Sequence, residues 1–113
     1  MGIVRWILNW FYGLPWNIWR IAVTVESADE IPDEIGRSRA VLVGTIRAPK
    51  WLAFDCPCGT GHRIMVNLDK NRNPHWSIVN PDRLTVRPSV DYRGSDRRCH
   101  YLIRDGRVIW VRD

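Results

Sequence analysis

The order of residues predicts a mainly β protein, a single small domain built as a sandwich or partly open barrel. Three observations carry this. Short runs rich in β-branched and aromatic residues recur from Arg20 onward, separated by Pro, Gly, Asn and Asp. Near the end, Tyr101-Leu102-Ile103-Arg104 and Arg107-Val108-Ile109-Trp110-Val111 flank Asp105-Gly106. A two-residue Asp-Gly link is the expected type I′ hairpin turn, because both turn positions need positive φ. Finally, 113 residues are normally one domain with a modest core, and no repeat, heptad or low-complexity segment divides them.

Residues 1–19 stand apart as a Trp-rich N-terminal segment, helical or a tail, ahead of a β domain over 20–113. The segment holds Trp6, Trp10, Trp16 and Trp19, four of seven tryptophans in the chain. Ile3, Trp6, Ile7, Trp10, Phe11 and Leu14 fall at three- and four-residue steps, with Arg5 and Asn9 on another face. Pro15, soon after Gly13, ends or kinks such a helix. A spanning helix needs about 20 unbroken apolar residues, and this stretch is interrupted. Packing on the domain or a partner is the default expectation; Trp with Arg also suits contact with a membrane surface.

The remaining elements follow in order. Ile21–Val25 is a short β-branched run, and an acidic loop, Glu26–Glu34 with Pro32, comes next. Ala40–Ile46 and Trp51–Phe54 are apolar strands, and Arg63–Leu68 is another beyond a cysteine-containing turn. That order places Cys56 and Cys58 at a hairpin tip. Asp69–Pro74 is a polar loop, and Asn80-Pro81-Asp82 separates the short strands Trp76–Val79 and Leu84–Val86.

Chemistry concentrates at the cysteines. Cys56, Cys58 and Cys99 are accompanied by His62 and His100. Thiolates and imidazoles are the usual tetrahedral ligands of zinc, often presented from a Gly-containing turn such as Cys58-Gly59-Thr60-Gly61-His62. Cys-x-Cys is less diagnostic than Cys-x-x-Cys, and small thiols also serve as ordinary core residues. The clustering with histidine favours a structural Zn2+ that stabilises the fold. Two ligand sets fit the spacing: Cys56, Cys58, Cys99 and His62, or the same cysteines with His100. His75, before Trp76, reads as a loop or strand surface residue.

An odd cysteine count argues against a closed disulfide framework, and the start lacks a small-residue cleavage site, so a reducing cytoplasmic location is expected. The net charge of +5 would suit a nucleic-acid partner. Arg83, Arg87, Arg93, Arg97, Arg98, Arg104, Arg107 and Arg112 crowd the last third but alternate with Asp82, Asp91, Asp96, Asp105 and Asp113. Local pairing would consume much of that charge. A zinc-ribbon-like binding module for a protein or nucleic acid is therefore the non-enzyme alternative.

Several motifs in order resemble one family. They are Glu30-Ile31-Pro32, then Phe54-Asp55-Cys56-Pro57-Cys58-Gly59-Thr60-Gly61-His62-Arg63, then His75-Trp76, Thr85 and Pro88-Ser89-Val90. Cys99-His100-Tyr101 and Asp105-Gly106-Arg107-Val108-Ile109-Trp110 complete the set. The family comprises small bacterial and phage proteins often encoded beside ubiquitin-like modifiers and their activating and conjugating enzymes. The resemblance covers roughly Arg20 to Trp110. It implies a metal-binding peptidase or accessory factor that processes or removes the ubiquitin-like modifier, with the modifier and its conjugation enzymes as partners. One departure stands out: the family pattern puts two residues between the last cysteine and the histidine, with serine before the histidine. Here Cys99 takes that serine position and Arg97 stands where the family cysteine would be.

A peptidase on this plan needs a nucleophile. Ser89 is the best candidate, with His100 as the base that takes its proton, since a serine hydroxyl is weak unless a base lies within reach. Asp91 or Asp96 would orient the base. Gly59, Thr60 and Gly61 would offer backbone N–H groups to the substrate and its oxyanion. The bland reading makes Pro88-Ser89 a strand-edge turn whose hydroxyl bonds its own backbone. A catalytic metal is disfavoured, because neither His-Glu-x-x-His nor His-x-Glu with Pro-Cys-x-x-Cys occurs.

Overall fold

A computed structural model describes residues 18–95 and 97–112. The expected N-terminal helix or tail, apart from Ile18 and Trp19, and Asp96 lie outside the described residues. The strands are β1 (Arg20–Val25), β2 (Arg39–Gly44), β3 (Pro49–Asp55), β4 (Arg63–Asn67), β5 (Ser77–Val79), β6 (Thr85–Arg93), β7 (Arg98–Arg104) and β8 (Arg107–Trp110). They form two four-stranded sheets, ordered β1-β2-β3-β4 and β5-β6-β7-β8. Among the described residues the only helix is a single 3₁₀ turn, Ala28–Glu30, inside the acidic loop. The protein is therefore mainly β, as the sequence predicts.

Most elements follow from local pattern. The β3–β4 hairpin pairs Trp51 with Asn67 through Asp55 with Arg63, which leaves the cysteine turn at its tip. The β7–β8 hairpin turns at Asp105 (φ 51) and Gly106 (φ 79), the positive-φ pair that Asp-Gly supplies. In β2, Ala40 to Val43 are all buried, as a continuous apolar run requires. Pattern did not reveal that β1 pairs parallel to β2, because the acidic segment crosses over instead of turning back.

One core cluster draws on both sheets. Leu42, Leu52, Phe54, Ile64 and Val66 from the first meet Val86, Val90, Cys99, Tyr101 and Ile103 from the second. Trp19, grouped by sequence with the N-terminal segment, is buried in this core and packs edge-to-face on Phe54, with centroids 5.4 Å apart. Its main chain binds the end of the second sheet: Trp19 N–H donates to Gly106 and Leu84 N–H donates to Trp19. A Cβ on Gly106 would lie 2.2 Å from Ile18 Cγ2, so the turn needs glycine for space as well as for φ.

The strand around Pro88 is longer than expected. A run ending at Val86 followed by a Pro-Ser turn is replaced by β6, continuous from Thr85 to Arg93. A bulge accommodates the proline: Val86 pairs with Ile103 and Val90 with Tyr101, so three residues of β6 oppose Leu102 alone. Pro88 has no N–H to contribute to a ladder, and within the bulge none is required. Ser89 is the last residue of that bulge.

Candidate active site and metal centre

Alternation along β7 separates the two clusters of chemistry. Cys99 is buried toward the core, and the next residue, His100, points to the outer face. On β6, Val90 and Tyr92 share the core side while Ser89, Asp91 and Arg93 point outward.

The inner cluster is Cys56, Cys58, His62 and Cys99, whose ligand atoms all lie within 4.8 Å of one another. The β3–β4 tip supplies three of them and β7 supplies the fourth. The tip is held by Cys56 N–H donating to His62 C=O at 3.0 Å and Gly59 N–H donating to Cys56 C=O at 3.2 Å. The Thr60 hydroxyl lies 3.0 Å from both Cys58 Sγ and His62 Nδ1, and Cys58 Sγ lies 3.7 Å from each ring nitrogen of His62. The His62 ring stacks on Tyr92 with centroids 4.1 Å apart, fixing its plane.

The three thiols differ in acidity. Burial pushes the Cys56 thiol up, and burial with the neighbouring sulfurs pushes Cys99 up to about 12. For Cys58, burial is outweighed by hydrogen bonds from Thr60 and the other two thiols, which bring it down to about 6. The Tyr101 hydroxyl is buried beside Cys56, which interacts with it, and among the described residues it meets no partner in full hydrogen-bonding geometry. Three thiols and one imidazole facing inward, with a buried hydroxyl beside them, are the donor set of a closed four-ligand zinc site. The residues fit such an ion. Of the two ligand sets open in the sequence, the geometry gathers the one with His62; His100 is on the other side of the sheet. Cys99 joins the cluster despite its displaced spacing, and Arg97 is exposed.

On the outer face, Ser89 Oγ and His100 Nε2 are 2.9 Å apart, and both residues are half-buried. They are diagonal neighbours across the β6–β7 pair, since His100 sits directly opposite Asp91. The bulge aims Ser89, and the Trp76 indole N–H donates to the Ser89 carbonyl at 3.2 Å. Asp91 is engaged by arginines: Arg98 grips it with two bonds of 2.9 Å and Arg93 reaches it at 3.3 Å. The Arg98 guanidinium, then Arg93, holds its carboxyl far below the usual carboxylate range. Arg63 and Arg72 likewise pair with Asp55 and Asp69, so several arginines are locally compensated and no uniform basic face results from them.

Gly59, Thr60 and Gly61, expected to offer donors to a substrate, belong to the metal turn. The Gly59 N–H is bonded to Cys56, and the Thr60 hydroxyl serves Cys58 and His62. His75 is exposed and bonds Asn73, as a loop residue does.

Residues 27–111 match the family model described as bacterial ubiquitination-like system serine protease (BubE). The chain belongs to the BubE family. No curated protein and no solved structure matches it. The BubE family is named as a serine protease family of a bacterial ubiquitination-like system, and the resemblance read from the motifs pointed to such systems. Among the described residues no helix is long and apolar enough to cross a membrane. Sequence reasoning missed Trp76, Tyr92 and Tyr101 as supporting groups. Each sits far along the chain from the group it touches, and an aromatic in a strand ordinarily signals only core.

Proposed function

We propose that this protein is a serine peptidase that processes or removes the ubiquitin-like modifier of its system, with Ser89 as nucleophile and His100 as general base. The single observation that supports this most is the 2.9 Å contact between Ser89 Oγ and His100 Nε2 on an accessible face, in a chain of a serine protease family. With the neutral imidazole accepting at Nε2, the hydroxyl is poised for deprotonation as it attacks a carbonyl. Oγ bonds to the carbonyl carbon while His100 takes the proton. His100 then returns that proton to the departing amine as the C–N bond breaks. Water, deprotonated by the same nitrogen, hydrolyses the acyl-serine and regenerates the enzyme.

Zinc in this reading is structural. Cys56, Cys58, Cys99 and His62 would fill its four positions, leaving none for a reacting water, and would tie the β3–β4 tip to β7. That tie holds the strand from which His100 projects. The ubiquitin-like protein and its conjugation enzymes are the partners.

The test is cleavage of the system's ubiquitin-like protein carrying a C-terminal extension, by wild type and by Ser89→Ala. Cleavage by wild type and none by the variant, with equal zinc content, is the expected result. Undiminished cleavage by Ser89→Ala removes Ser89 from the mechanism. Absence of cleavage by either folded protein favours a zinc-ribbon-like binding module.

A further inference from the structure

β6 is an interior strand only along half its length. β5 covers it from Thr85 to Arg87, the pairs being Val79 with Thr85, Ile78 with Val86 and Ser77 with Arg87. Just before β5 the chain leaves this edge, because Trp76 N–H donates to the Asn67 carbonyl at the end of β4. From Ser89 to Arg93, β6 therefore has β7 on one side and, among the described residues, no strand on the other.

The direction of each backbone group on this stretch can be assigned. Gly94 N–H donates to Arg97 C=O across the β6–β7 turn, and pairing is regular from Val90 to Arg93. Val90 and Tyr92, in step with Gly94, thus bond toward β7. The main-chain N–H and C=O of Asp91 and Arg93 face the open edge. The Ser89 carbonyl faces the same way and is taken by Trp76, which closes the edge at the serine end. The open stretch begins at the Ser89 hydroxyl and carries four backbone groups that no backbone bond among the described residues answers. Such edges are usually blunted by charge, and Asp91 and Arg93 do so here without blocking the backbone itself.

We propose that this edge is the substrate-strand site: the extended C-terminal tail of the ubiquitin-like protein adds to β6 as an antiparallel strand in line with β5. The proposal rests on the peptidase reading and names how that site takes its substrate. An antiparallel strand enters beside Arg93 and reaches Ser89 at its C-terminal end. The modifier side of the scissile bond then occupies the open half of the edge. Past Ser89, Trp76 and β5 obstruct a continuing strand, so the leaving segment turns off the sheet. With the residue before the scissile bond at Ser89, the third residue before it lies opposite Asp91 and the fifth opposite Arg93. Main-chain bonds of this kind accept any side chain that the flanking surface tolerates, which suits a flexible tail.

The test uses Ser89→Ala and a semisynthetic ubiquitin-like protein N-methylated at one tail position at a time, with binding read by fluorescence anisotropy. N-methylation at the third or fifth position should weaken binding by about five- to tenfold each, as loss of one hydrogen bond does, while the second and fourth positions tolerate it. Equal tolerance at all positions overturns the proposal. In the active protein, Arg93→Pro removes one edge-facing N–H and should raise KM relative to Arg93→Ala; equal KM values count against it. Binding needs no catalysis, so a tail that binds in this pattern without being cleaved defeats the peptidase reading and leaves the edge site standing.

Discussion

Cys99 and His100 are neighbours in sequence and sit on opposite faces of the same sheet. One is 3% exposed within the cysteine cluster, and the other holds Ser89 at 2.9 Å. A strand's two-residue period makes this unavoidable, and it separates the cysteine cluster from the Ser89–His100 pair with no residue shared.

That separation predicts distinct losses. Cys56→Ser should lower bound zinc and the melting temperature together, the latter by about 10 °C, because structural metal binding is coupled to folding. His100→Ala should leave zinc stoichiometry and melting nearly unchanged while lowering kcat by about a thousandfold or more. Zinc lost from His100→Ala would place that histidine among the ligands. Metal analysis beside thermal denaturation decides between the two.

Tyr101→Phe separates metal-loaded from metal-free protein. A metal-bound Cys56 thiolate would accept a bond from the buried Tyr101 hydroxyl, which among the described residues has no partner in full hydrogen-bonding geometry. In zinc-loaded protein the variant should lose about 1 kcal/mol. After chelation the loss should vanish or reverse, because an unanswered buried hydroxyl costs free energy. Chemical denaturation in both states provides the measurement, and an equal loss in each would contradict the role.

Asp91 is held ionised by Arg98 and Arg93, so its folded pKa lies below the unfolded value of about 3.9. A depressed carboxylate contributes stability that is present above the unfolded pKa and is lost as pH falls through the folded one. The stability gap between wild type and Asp91→Asn should be small at neutral pH, shrink with added salt, begin to narrow below about pH 4 and close only as the pH falls through the lower folded value. A gap that widens in acid would contradict this assignment.

Trp76→Phe tests positioning of Ser89, the proposed nucleophile. The indole N–H that holds the Ser89 carbonyl is removed while most of the packing stays. Reaction of Ser89 with a fluorophosphonate should slow by about tenfold with little change in melting temperature. Unchanged labelling would show that the bulge alone aims the serine.

Gly106→Ala should destabilise by about 1–2 kcal/mol, seen as a lower denaturation midpoint, since it combines a φ of 79 with a Cβ placed 2.2 Å from Ile18. Zinc content should not change.

The sequence by itself determined the mainly β class, the last hairpin at Asp105-Gly106 and the cysteine turn at the β3–β4 tip. Each is a local matter of period, turn chemistry or side-chain type. Tertiary structure alone decided which histidine joins the thiols, because facing is set by strand register, and register for β7 depends on its pairing with β6. It also decided that β6 runs through Pro88. A bulge removes the ladder bond that proline lacks, and no local rule announces a bulge. The parallel β1–β2 pair, the Trp76 contact and the open edge beside Ser89 arise where distant segments meet, and their energies come from partners that sequence spacing does not bring together.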